Sequence, residues 1–224
     1  MGIPGTICDN VFMVETTIHL LRHGEVHNPT GVLYGRLPGY GLSERGRLMA
    51  ERIATHVAGR DIITVIASPL QRAQETAAPI ATALGVSIGS DPRLIEADNK
   101  FEGLRVGIGD GSLRNPRYWP LLRNPFRPSW GEPYREQADR VLAAVDGARE
   151  QARGHEALLV SHQLPIWVTR LALSHHRLWH DPRHRECSLA SMTSLRFEGD
   201  RLVGIRYSEP AADLMPGVSP VAGA

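Results

Sequence analysis

Short β-branched apolar runs alternate along the chain with longer stretches in which apolar residues recur every three to four positions. Thr16–Leu21 is a run of the first kind and stops at Arg22-His23-Gly24. Ile62–Ile66 and Ala157–Val160 are nearly continuous, as in strands covered on both faces of a parallel sheet. The i, i+4 stripe of Met49, Ile53 and Val57 predicts a helix started by Ser43 and Glu44. A second helix carries Leu70, Ala73, Ala77, Ile80 and Leu84 on one face, with a kink expected at Pro79. A third, over roughly residues 133–152, carries Ala138, Val141, Val145 and Ala148, and a fourth from about Pro165 carries Val168, Leu171 and Ala172. The pattern closes with a hairpin: strands over 189–197 and 201–207 joined by a turn at Glu198-Gly199-Asp200. His19 reads as a satisfied histidine within the first strand.

Strands alternating with helices predict an α/β fold, a three-layer α/β/α sandwich around a mostly parallel central sheet. Ligands of such sheets bind beyond the carboxyl ends of the strands. Two predicted strands end in a histidine motif, Arg22-His23-Gly24 and Ser161-His162, and a third ends at Ala67-Ser68-Pro69 just before Arg72. One domain is expected over 16–208, with an extension of no predicted order at 1–15 and a flexible tail at 209–224.

The 224 residues suit a single α/β domain, and 42% hydrophobic with 22% charged residues is an ordinary soluble composition. A formal net charge of +1 gives no global field for nucleic acid or an anionic membrane. Attraction for an anion must therefore come from local arginine clustering. Cys8 and Cys187 do not suggest a disulfide framework. No apolar run approaches the roughly 18 residues of a membrane span. The first fifteen residues lack a basic leader, so a cytoplasmic protein is expected.

Four segments carry the candidate chemistry: Arg22-His23-Gly24-Glu25, Ser68-Pro69-Leu70-Gln71-Arg72-Ala73-Gln74-Glu75-Thr76, Arg93-Leu94-Ile95-Glu96 and Ser161-His162. At these residues the chain is similar to the histidine phosphatase (phosphoglycerate mutase-like) superfamily, over roughly 16–207. The resemblance implies a phosphorylated His23, a phosphate pocket of Arg22, Arg72 and His162, and Glu96 as proton donor. It implies no metal and no cofactor, and a small phosphorylated metabolite as partner.

The chemistry is sound on its own terms. A phosphate monoester is close to a dianion at neutral pH and repels anionic nucleophiles, whereas a neutral imidazole does not. Arginine forks suit the oxygens on which transition-state charge accumulates. Asn28 and Gln163 are further phosphate-side candidates that depart from the family pattern. Val26 stands where a Thr is usual, Asn28 arrives one residue early, and Gln163 stands where a Gly is usual.

Competing readings belong beside these. Ser68 reads as a helix N-cap rather than a nucleophile. Phe101-Glu102-Gly103 offers Glu102 as an alternative acid. Gly107-Ile108-Gly109-Asp110-Gly111 lacks the strand and Lys of a nucleotide loop. His175, His176, His180 and His184 read as a polar surface segment rather than a metal site. The arginines and aromatics over 104–135 are expected to form a lid-like insertion that grips the substrate, with an aromatic core under a loop as the equal alternative. The activity expected is hydrolysis of a small phosphomonoester. A cofactor-dependent phosphoglycerate mutase is the first alternative and a non-catalytic phospho-ligand-binding protein the second. A homodimer is compatible, and the oligomeric state stays open.

Overall fold

The computed structural model describes residues 14–106, 115–124, 126 and 128–215. The strands are β1 (Glu15–Arg22), β2 (Ile62–Ala67), β3 (Ile88–Ser90), β4 (Glu156–Ser161), β5 (Met192–Glu198) and β6 (Arg201–Ser208). The helices are α1 (Glu44–Val57), α2 (Gln71–Leu84), α3 (Tyr134–Gln151) and α4 (Gln163–Leu173). The strands form one sheet in the order β3-β2-β4-β1-β5-β6. β3, β2, β4 and β1 run parallel, and β5 and β6 add an antiparallel hairpin.

Alternation along the strands divides the core into two. Leu21, Leu158, Val160 and Met192 pack with Met49, Ile53, Val57 and Ile80 of α1 and α2. The intervening Ile18, Leu20, Leu159 and Leu195 pack with Val141, Val145 and Ile166 of α3 and α4. The three layers are thus α1/α2, the sheet, and α3/α4. His19 is fully buried, with its ring nitrogens 2.8 Å from Ser194 Oγ and 3.1 Å from Glu156.

Local chemistry explains the boundaries. Ser43 caps α1 by accepting a hydrogen bond from the Gly46 N–H at 3.0 Å. α2 ends at Gly85 in the left-handed conformation that glycine adopts without strain. It runs as one helix through Pro79. Its N-cap is Leu70 and not Ser68. β2 is less covered than its apolar run implies. Its pairing with β4 slips between Ile62 and Thr64, which leaves Ile63 as a bulge residue in the open. β3 is too short for any periodicity to reveal.

Of the predicted tail, 209–215 packs on the core. Ala211 is buried and the 3₁₀ turn Ala212–Leu214 brings Leu214 and Met215 onto the α1/α2 cluster. Residues 216–224 of the tail, 1–13 of the extension, Cys8, and the Gly107–Gly111 loop lie outside the described residues. Among the described residues no helix is long and apolar enough to cross a membrane.

Candidate active site

Parallel pairing delivers the two histidines side by side. Arg22 of β1 is in register with Ser161 of β4, so the residues that follow, His23 and His162, leave the sheet together. The His23 N–H donates to Ser161 O at 3.1 Å, and the two ring centroids lie 5.1 Å apart. Both rings are buried. On the other side of β4, the Ser68 N–H donates to Val160 O at 2.9 Å. This sets Ser68 Oγ 2.8 Å from His162 Nε2. The contact explains the failed N-cap expectation, because the hydroxyl faces the histidine rather than closing the helix. Arg72, in the first turn of α2, reaches back over the sheet end. Its Nε donates to His23 Nε2 at 3.3 Å and its Nη2 to Gly35 O at 2.7 Å. The buried Tyr34 ring lies under its guanidinium, 4.8 Å from centroid to Cζ. Arg22 Nη1 donates to Cys187 O at 2.7 Å, while its buried Nε has no partner.

This network fixes the proton on His23. Nδ1 lies 2.8 Å from Gly24 O, an acceptor only, so Nδ1 carries the hydrogen. Nε2 then presents its lone pair, the state in which Arg72 can donate to it. Burial first, then Arg72 and Arg22, hold the His23 pKa well below the ordinary imidazole value. Burial first, then Arg72, His23 and Arg22, do the same to His162. Both rings are neutral at pH 7. The buried Nδ1 of His162 has no partner. The Ser68 hydroxyl, which accepts the Leu70 N–H at 3.4 Å, can donate its own hydrogen to His162 Nε2. A neutral His162 so held carries its hydrogen on Nδ1, as a donor for an incoming oxygen.

The carboxylates stand on an arginine scaffold that no motif announced. Arg36 donates through its backbone N–H to Glu102 Oε1 and through Nε to the Glu96 carbonyl, both at 2.7 Å. Its guanidinium also pairs with Glu132 at 3.0 Å, and Arg140 pairs with the same carboxylate at 2.7 Å. The Glu96 carboxylate accepts from the Ala97 N–H at 2.8 Å. Its charge is felt at Tyr34, Arg72 and Arg185. Glu102 lies against Gly35, where a Cβ would meet its carboxylate and displace it. Burial raises its pKa.

The two remaining candidates are held elsewhere in part. Asn28 braces its own loop, donating to Val32 O at 2.8 Å and accepting from Val32 N–H at 3.3 Å. Gln163, the first residue of α4, donates to Cys187 O at 3.4 Å and accepts from Arg185 Nη1 at 3.2 Å. Arg185 escaped sequence reasoning because its neighbours spell no motif.

The aromatics of the 104–135 stretch are split between core and solvent. Tyr118 packs edge-on against the buried Phe101 at 5.9 Å, and Tyr134 is buried. Trp119 and Phe126 are exposed, Phe126 lying 5.4 Å from the exposed Trp179. Arg114 and Arg127 lie outside the described residues. Of the histidine-rich stretch, His180 turns inward against Tyr134 and Trp167. Among the described residues no group of three or more potential ligands is placed to hold a metal ion.

A family model described as the histidine phosphatase superfamily (branch 1) matches residues 18–209. The uncharacterised protein Rv0525 of Mycobacterium tuberculosis is 62% identical over 198 residues, covering 88% of this chain and 98% of its own. A probable phosphoglycerate mutase, GpmB, of Yersinia pestis is 32% identical over 195 residues, covering 77% of this chain and 82% of the mutase. In fold, the chain resembles the mycobacterial glucosyl-3-phosphoglycerate phosphatase Rv2419c, with a TM-score of 0.67 at 24% identity. That likeness covers 86% of this chain and 97% of the other.

Proposed function

The chain belongs to the histidine phosphatase superfamily, branch 1, and on that premise we propose that it hydrolyses a small phosphomonoester through a phosphohistidine on His23. The observation that carries the reading is the state of His23. Its Nδ1 is held by Gly24 O, and its Nε2 lone pair faces the Arg72 guanidinium that would bind the phosphoryl oxygens.

In the first step His23 Nε2 attacks phosphorus and the ester P–O bond breaks. Glu96 gives its proton to the departing alkoxide. In the second step water attacks the phosphohistidine, its proton passes to Glu96, and inorganic phosphate leaves as the N–P bond breaks. Arg22, Arg72 and Nδ1–H of His162 supply donors to the equatorial oxygens in a dry site, where fixed donors are most effective. Both carboxylates are felt at Arg72, and Glu96 is assigned the proton transfers because its charge is felt at Arg185 as well, whereas Glu102 acts as a strut for the 34–36 turn. Asn28 is assigned to its loop and Gln163 to the pocket's rim. The described residues of the 104–135 stretch are assigned as a lid.

The likeness to GpmB supports a second reading, phosphoglycerate mutase. One set of assays separates them. The wild type should release phosphate from p-nitrophenyl phosphate in EDTA, and His23→Ala should lose at least about a thousandfold in kcat, the scale of removing an essential nucleophile. Full activity in that variant removes the nucleophile assignment. With 3-phosphoglycerate and 2,3-bisphosphoglycerate, rapid formation of 2-phosphoglycerate would favour the mutase.

A further inference from the structure

Arg185 is a half-buried cation with no carboxylate partner among the described residues. Its neighbours in sequence are neutralised: Arg183 pairs with Asp181 and Arg170 with Glu186. Arg185 instead donates from Nε to His180 Nε2 at 2.8 Å and from Nη1 to Gln163 Oε1 at 3.2 Å, two uncharged acceptors. The acceptor state of His180 is built in. Its Nδ1 lies 2.7 Å from Leu178 O and so carries the hydrogen, and burial pushes its pKa down to about 4. Gln163 in turn shares Cys187 O with Arg22, so one carbonyl ties the Arg185 network to the phosphate pocket. Glu96 is the carboxylate whose charge is felt at Arg185, and Arg22 is felt there as a repulsive charge, in keeping with the link through Gln163 and Cys187 O. Its Nη2 makes no hydrogen bond to a described residue. A half-buried guanidinium held in fixed orientation by neutral groups, with one nitrogen left unpaired, is a ready receptor for an anion.

We propose that Arg185 receives a second anionic group of the substrate, so that the substrate is a phosphomonoester that also bears a carboxylate or a second phosphate. The assignment rests on the phosphatase reading for its kinetic test and on binding alone for its control. Two matched pairs serve as probes: phosphoglycolate against ethyl phosphate, and propanediol bisphosphate against propyl phosphate. The wild type should favour at least one charged member by about thirtyfold or more in kcat/KM, and the pair that shows it tells carboxylate from phosphate. Arg185→Gln should shrink that preference about thirtyfold, the scale of a lost charge-assisted hydrogen bond, chiefly through KM. Should the glutamine variant fail to fold, Arg185→Lys replaces it, and the preference should fall at least about tenfold because the fork is gone. Absence of a preference in the wild type, or equal losses on charged and neutral esters, overturns the proposal. If the wild type releases phosphate neither from these four nor from p-nitrophenyl phosphate, the phosphatase reading falls. Calorimetric binding of the charged probes to wild type and variant then decides Arg185: weaker binding in the variant supports it and equal binding overturns it.

Discussion

Two carboxylates compete for one proton transfer, and their surroundings differ. Glu102 is shielded from water, and burial raises its pKa, which by itself suits an acid. One of its oxygens, however, is committed to the Arg36 N–H at 2.7 Å, and that bond favours the ionised form. Glu96 likewise accepts one backbone N–H, from Ala97, but its charge is felt at Arg185 as well as at Arg72, whereas Glu102 is wedged against Gly35. Glu96→Gln should therefore lower kcat on a poor leaving group such as an alkyl phosphate by about a hundredfold or more, the range of general acid catalysis. It should matter less for p-nitrophenyl phosphate, whose leaving group needs little protonation. Glu102→Gln should mainly lower stability. Leaving-group dependence in the Glu102 variant, and not in the Glu96 variant, would reverse the assignment.

At the scale of elements, the site is a junction between the end of β1 and the start of α1. The Gly24 N–H donates to Thr76 Oγ1 of α2 at 3.1 Å, and a Cβ at Gly24 would stand 2.5 Å from the Gly46 carbonyl oxygen. Backbone cannot yield as a flexible side chain would. Gly24→Ala should cost about 1–3 kcal/mol, in line with overpacking a close contact. It should also lower kcat, because the Gly24 carbonyl orients the His23 ring. Urea unfolding and turnover measured on the same variant check both, and an unchanged midpoint with unchanged kcat contradicts the packing argument. The N-terminal turns of α2 and α4 meet the same place, one carrying Arg72 and the other following His162. Their unpaired N–H groups add to the positive potential that an incoming phosphate meets.

For the whole molecule, buried neutral imidazoles couple stability to pH. His23, His162 and His180 are all held below the ordinary imidazole value, chiefly by burial, with His180 at about 4. The unfolded chain therefore binds more protons than the folded chain once pH drops below about 6.5. This contribution to stability is fully present above that pH and is lost as pH falls toward the folded values. Glu156 adds in the same direction at lower pH. Hydrogen bonding from His19, opposed by burial and helped by Arg60, lowers its pKa from 4.5 to about 2. Tm should fall steadily between about pH 6.5 and 4, and a flat Tm across that window would contradict the neutral assignments.

The chain's linear pattern carried the α/β class, the four helices, the closing hairpin and the three strand ends at which chemistry gathers, because period and punctuation are local properties of a sequence. It also carried His23, Arg22, Arg72, His162 and Glu96 as candidates, since strand-end motifs are contiguous. Pairing was decided in three dimensions. Only the β1–β4 register sets two imidazoles 5.1 Å apart, and only the β2–β4 register gives Ser68 to His162 rather than to its own helix. The supporting groups Tyr34, Arg36, Glu132, Arg140 and Arg185 were illegible, as no motif or spacing rule links them to their partners, near or far in the chain. Burial, and with it the charge state of each ring, exists only once the chain has closed over them.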